Sequence, residues 1–171
     1  MMWMLAAAMA LIGQTGEWLA MPMPDGFTAA HEQDAPQGRI EERIARGETV
    51  ERWTRMITII TVKRDMPADN YAAAFEEVVV MACPGARTAK RQATAIGARA
   101  AIDGRIDCPL NPKTGLPETF LYRLANAGGQ VHMVQVAFRR VPSAADIAWA
   151  EQRIAGVVLC AQGSSNALCR D

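Results

Sequence analysis

Apolar positions in this chain recur with two different periods, and the change of period marks out its elements. Residues 54–63 (TRMITIITVK) are β-branched and apolar on both pleat faces around Ile57 and Ile60, which predicts a central strand. Residues 39–44 (RIEERI) predict a short exposed strand. Residues 119–125 and 130–139 flank Asn126-Ala127-Gly128-Gly129, a hairpin signature. The helical period appears twice. After Met66-Pro67, the positions Tyr71, Phe75, Val78, Val79 and Ala82 fall on one face until Pro84-Gly85 ends the helix. Ser143 opens the second helix, with Asp146 three residues on in the manner of a capping box. Ile147, Ala150, Ile154, Val157 and Val158 form its buried stripe, and Cys160 closes it.

Other segments carry weaker patterns. Pro22, Pro24 and Gly26 make residues 17–32 irregular. Residues 47–53 read as a turn with a brief helical segment. The alanines of residues 87–107 suit a helix, but Gly97, Gly104 and the alternation of Ile96, Ala98, Ala100 and Ile102 favour a strand. Residues 111–117 (NPKTGLP) form a loop rich in turn formers. Adjacent hairpin strands must pair antiparallel, so the fold class is α+β. The expected architecture is an antiparallel sheet covered by two amphipathic helices, as a two-layer or α/β/α sandwich, and both helices could share one sheet face.

Composition narrows the setting. The chain has 171 residues, half of them hydrophobic, enough for one domain with a real core. Eighteen basic and eighteen acidic side chains cancel, which argues against a general nucleic-acid binder. No stretch reaches the ~20 apolar residues of a bilayer span. Met1 to Gly13 carry no charge and resemble the hydrophobic region of a signal peptide. No Lys or Arg precedes that run, and the A-x-A pattern Ala8-Met9-Ala10 lies early for cleavage. The expected organisation is a leader over residues 1–16 and one domain over residues 17–171, exported to the periplasm or beyond.

Behind such a leader, Cys83, Cys108, Cys160 and Cys169 read as two disulfides. Three connectivities are open, and nearest neighbours, Cys83–Cys108 and Cys160–Cys169, are preferred. No C-x-x-C occurs, which weighs against a zinc or redox site. G-x-S-x-G, H-E-x-x-H and the phosphate-loop patterns are also missing, so no catalytic residue, cofactor or metal is assigned. His132 alternates with Val134, Val136 and Phe138, the setting of a packed histidine; a small hydrolase built on it is the rival reading. Met21-Pro22-Met23 near His31 raises copper binding, although Met56, Met81 and Met133 fall on core-like positions. Positive charge gathers at Arg87, Lys90, Arg91, Arg99 and Arg105, with Lys113 in the following loop. These six are the candidate ligand surface, suited to an anionic ligand or an envelope protein.

Residues 47–58 (GETVERWTRMIT) resemble a pattern, G-E-T-x-E-x-W-T-x-M-[IV]-T, found in small exported alphaproteobacterial proteins of unknown function. Cys108-Pro109-Leu110, Thr114-Gly115, Pro117-Glu118, Val134-Gln135 and Ala137-Phe138 are similar to it too. The likeness covers much of residues 17–160 and implies export without an activity. The element order is similar to the PsbP/Mog1-like α/β/α sandwich, whose members act as accessory or binding modules. The expectation is therefore a non-catalytic binding or envelope-accessory module.

Overall fold

The computed structural model describes residues 16–170. Strands β1 (Glu17–Ala20), β2 (Phe27–Ala35), β3 (Gly38–Ala45) and β4 (Arg55–Val62) precede helix α1 (Ala68–Ala82). Strands β5 (Arg87–Ile96), β6 (Arg99–Asn111), β7 (Leu116–Ala127) and β8 (Gln130–Phe138) then lead to helix α2 (Ala144–Ala155). A short β9 (Val158–Ala161) and a 3-10 turn (Ala167–Cys169) follow. Seven strands make one antiparallel sheet in the order β2-β3-β4-β8-β7-β6-β5, and β1 pairs with β9 in a separate two-stranded sheet. The leader expected over residues 1–16 lies outside the described residues except for Gly16.

The apolar run Met56–Ile60 places β4 inside the sheet, paired with β3 on one side and β8 on the other. Alternation along β7 separates the layers. Leu121 and Ala125 join Val134, Val136 and Phe138 against Ala150 and Ile154 of α2. Tyr122 and Leu124 join Ile102, Ile106 and Met133 against Ala72 of α1. The helices thus lie on opposite faces, and the sandwich is the three-layered α/β/α form, not one with both helices on a single face.

Several local expectations change. Residues 87–107 are not one strand: β5 and β6 form a hairpin, with Ile96 opposite Arg99 and Gly97 at φ +57° in the two-residue turn. Glycine reaches that conformation without the steric cost of a Cβ. Residues 17–32 hold β1 and the start of β2, because Pro22 and Pro24 fall between strands and not inside them. Residues 47–53 contain no helix; a bridge between Thr49 and Arg52 closes a turn. The capping box of α2 forms as expected, with Ser143 Oγ accepting from Asp146 N–H and Asp146 accepting from Ser143 N–H. That helix stops at Gly156, however, so Val158 and Cys160 belong to β9.

Helix α1 packs Tyr71, Phe75 and Val79 of the expected stripe against the core, but its most buried positions are Ala72 and Glu76. Val78 and Ala82 of that stripe are exposed. Glu76 is buried because its partners wait beneath it. Tyr122 O–H donates to Glu76 Oε1 at 2.5 Å, and Thr88 Oγ1–H and Arg91 N–H donate to Oε2 at 3.1 and 3.4 Å. Burial, reinforced by Glu76, holds the Tyr122 hydroxyl well above the usual phenol range, so it stays a donor. The Tyr122 ring lies over Gly104, where a Cβ would stand 2.1 Å from ring carbon Cζ. Only glycine leaves room for the ring.

Both disulfides pair nearest neighbours, Cys83–Cys108 and Cys160–Cys169. The first ties the end of α1 to the end of β6, and the second ties β9 to the 3-10 turn.

Candidate functional site

Pleat parity decides where the expected basic surface goes. Lys90 pairs in register with Arg105, and Arg87 with Asp107, while a bulge between Thr88 and Lys90 resets the phase of β5. Lys90 reaches Glu151 of α2 at 3.5 Å, so this row faces the α2 side. Arg99, at the hairpin turn, meets Glu17 of β1 at 2.8 Å. Arg105 pairs with Asp107 at 2.8 Å on the same strand. Arg91 points to the other side, against Asp69 and Glu76 of α1. Lys113 sits in the β6–β7 turn, where its backbone N–H bonds Asn111 Oδ1. The structure therefore brings Arg87, Lys90, Arg99 and Arg105 to one face and leaves Arg91 and Lys113 elsewhere.

That face holds a cleft of about 680 Å³ between the β5–β6 turn and the end of α2 with β9. Ile96, Ala98, Ala155, Val158 and Leu159 supply apolar walls, and Arg99, Arg123 and Glu17 supply the polar side. A second hollow of about 270 Å³ adjoins it through Arg123 and Ala155, and adds Lys90, Arg105, Asp103 and Glu151. Together they form a groove along the α2 side of the β5–β6 hairpin. It exists because α2 packs over β7 and β8 and leaves the hairpin uncovered.

The cations of the groove differ in how firmly they are held. Arg123 donates two bonds of 2.7 Å to the Asp103 carboxylate, and the pair is mostly buried. Such a fork is fixed geometry. Lys90 and Arg99 are about half exposed, at 46% and 50%. Pairs as exposed as these contribute little net energy, so an incoming anion can take either cation from its partner. Arg123 was not singled out from the sequence, although a charge between Leu121 and Ala125 inside an alternating strand was the available signal.

His132 is committed within the fold. It is 2% exposed, with Nε2 3.2 Å from the Ala127 carbonyl and Nδ1 3.1 Å from Thr61 Oγ1. A carbonyl only accepts, so Nε2 carries the proton and Nδ1 accepts from the threonine. Burial pushes its pKa below the usual value. Neither nitrogen is left for a substrate. The thioether pattern also does not converge. Met21 and Met23 pack in the core beneath α2, whereas His31 is exposed on β2, in register with Glu42. Met56 and Met133 are buried as expected, but Met81 is 69% exposed.

A separate polar network ties together one end of the sandwich. Glu118, 5% exposed, accepts from Asn111 Nδ2 at 2.9 Å and from Arg139 Nε at 3.2 Å. Arg139 also donates to the Glu51 carbonyl at 2.7 Å and lies 4.0 Å above the Trp53 ring. One guanidinium thus joins the turn after β3, the β6–β7 turn and the end of β8.

No protein-family model matches the chain, and no curated protein sequence matches it. Among solved structures, the Ran-binding protein Mog1p of Saccharomyces cerevisiae is similar over 81% of this chain and 88% of its own, at 9% identity and TM-score 0.53. A Mog1 mutant is similar over 79% and 78% of the two chains, at 9% identity and TM-score 0.48. LpqN of Mycobacterium tuberculosis, involved in cell envelope biogenesis, is similar over 87% of both chains, at 14% identity and TM-score 0.47. The chain has the Mog1-like sandwich. At 9% identity the likeness to Mog1p is one of fold.

Proposed function

We propose that this domain is a non-catalytic binding module of the cell envelope whose groove between α2 and the β5–β6 hairpin takes an anionic ligand with an apolar portion. The observation that carries this reading is the pairing of apolar walls with releasable cations. Ile96, Ala155, Val158 and Leu159 line the same cleft as Arg99, and Lys90 and Arg105 continue from it. An acyl or alkyl tail would lie against the walls while Arg99 and Lys90 meet the charged head. Two disulfides suit an oxidising compartment outside the cytoplasm, in line with the apolar run at residues 1–13. A binding role is also in keeping with the fold, since Mog1p is a Ran-binding protein.

Calorimetric titration with dodecyl phosphate tests the proposal, with dodecyl maltoside as the uncharged counterpart. Saturable binding of the phosphate that weakens about tenfold or more in a Lys90→Glu/Arg99→Glu variant is expected. Equal binding of both amphiphiles would remove the anionic part of the reading. No binding of either would reject the groove.

A further inference from the structure

The end of the sandwich stapled by Cys83–Cys108 collects the apolar side chains that the fold leaves outside. In the antiparallel order, β3, β6 and β8 run the same way, so the turns after them share one end with the end of α1. The disulfide confirms this, as does the contact of Cys83 Sγ with the Leu110 carbonyl oxygen at 3.5 Å. Val50, Val80, Met81, Leu110, Leu116 and Val141 all lie on these segments. They are six of the eight large apolar side chains exposed among the described residues. Exposed apolar groups scattered singly need no explanation, but collection at one end does.

The charges at this end are not random either. Of the six expected basic residues, four have an acidic partner. Arg87 and Lys113 have none among the described residues, and both sit here. Arg46 and Arg52 stand at the same end without ion pairs, against Asp25, Glu48 and Glu51. The Glu48 carboxylate is engaged by its own turn, accepting from both Thr54 N–H and Thr54 Oγ1–H. The Arg139–Glu118 network and the disulfide hold the turns fixed, so the apolar groups are presented by a rigid frame.

We propose that this end docks on the surface of an anionic lipid bilayer. Met81, Leu110, Leu116 and Val141 enter the headgroup boundary, and Arg87 and Lys113 meet lipid phosphates, the two signals that surface binding requires. A protein partner would accept the apolar groups but would not by itself account for unpaired cations beside them. Arg87 shares the α2-side face of the sheet but lies outside the residues that line the groove, so the two sites are separate and either can hold without the other.

Co-sedimentation with protein-free vesicles of phosphatidylglycerol, and with vesicles of phosphatidylcholine, tests the proposal on the disulfide-bonded protein. Partitioning into the phosphatidylglycerol vesicles that falls with added salt is expected. Met81→Asp/Leu110→Asp should abolish it with the melting temperature unchanged, because both side chains are exposed. Arg87→Ser/Lys113→Ser should lower it about 25-fold, from about fivefold per cation. Lys90→Glu/Arg99→Glu, which alters the groove alone, should leave it within about twofold of the parent. Equal partitioning into both vesicle types, no loss in the Met81/Leu110 variant, or no partitioning at all would overturn it.

Discussion

Arg139→Ala should destabilise this domain more than any other exposed-looking substitution near its loops. Arg139 and Glu118 have side-chain exposures of only 12% and 6%, so the substitution leaves a carboxylate buried with Asn111 and Thr114 but no counter-charge. Breaking a buried ion pair from one side costs about 3–5 kcal/mol. The stacking of the guanidinium on Trp53, itself 7% exposed, contributes about 1–2 kcal/mol. The two effects come from one group and do not simply add, so about 4 kcal/mol is expected. For a chain of this size that corresponds to a fall in melting temperature of roughly 8–16 °C. Urea unfolding followed by circular dichroism at 222 nm reads the change without relying on Trp53. A Glu118→Gln/Arg139→Met protein should lie closer to wild type than Arg139→Ala alone, because no charge is left unpaired. A loss below about 1 kcal/mol for Arg139→Ala, the range of surface pairs, would refute the view that this residue holds the end of the sandwich together.

Gly104→Ala should cost about 3 kcal/mol by urea unfolding, the upper range of overpacking, since the new methyl meets a Tyr122 ring anchored through Glu76. A change under about 1 kcal/mol would show that the ring has another place to go. On loop entropy, replacing both cysteines of Cys83–Cys108 by serine should cost about 3.5 kcal/mol and replacing both of Cys160–Cys169 about 2.6 kcal/mol. The separations behind those figures are 25 and 9 residues. A larger loss from the second pair in denaturant titrations would contradict that order. His132 has a folded pKa below its ordinary value of 6.5. The unfolded chain therefore binds more protons just below that value. Stability from this group is complete above about pH 6.5 and declines as pH falls towards the folded pKa, by up to about 1.4 kcal/mol per unit. Imidazole proton shifts that titrate at or above 6.5 in the folded protein would exclude the buried neutral ring.

The elements legible in the sequence were those whose signals are local. Strand β4 shows its double-sided burial in its own residues, the β7–β8 turn carries two glycines, and the α2 cap lies within four positions. The disulfide pairing followed from neighbours along the chain. What was lost depended on partners far away. Glu76 is buried because Tyr122, 46 positions on, offers it a hydroxyl, and no pattern within α1 announces that. Val78 and Met81 fit a buried stripe as well as Ala72 does, because α1 is apolar nearly all round and its phase is ambiguous. The run Val157-Val158 continued the helical spacing, and only Gly156 marked the change to β9. The Gly97-Ala98 turn lies among alanines that blur both ends of the hairpin. The basic residues are close together along the chain, but pleat parity and a bulge in β5 distribute those of the hairpin between two faces.

Mapping amide shifts in the isotope-labelled, disulfide-bonded domain on addition of dodecyl phosphate tests the binding groove most directly. The account predicts perturbations confined to residues 95–99, Lys90, Arg105, Arg123 and residues 155–159, the segments that border the two hollows. Shifts concentrated on the α1 face, or none at saturating ligand, would contradict it.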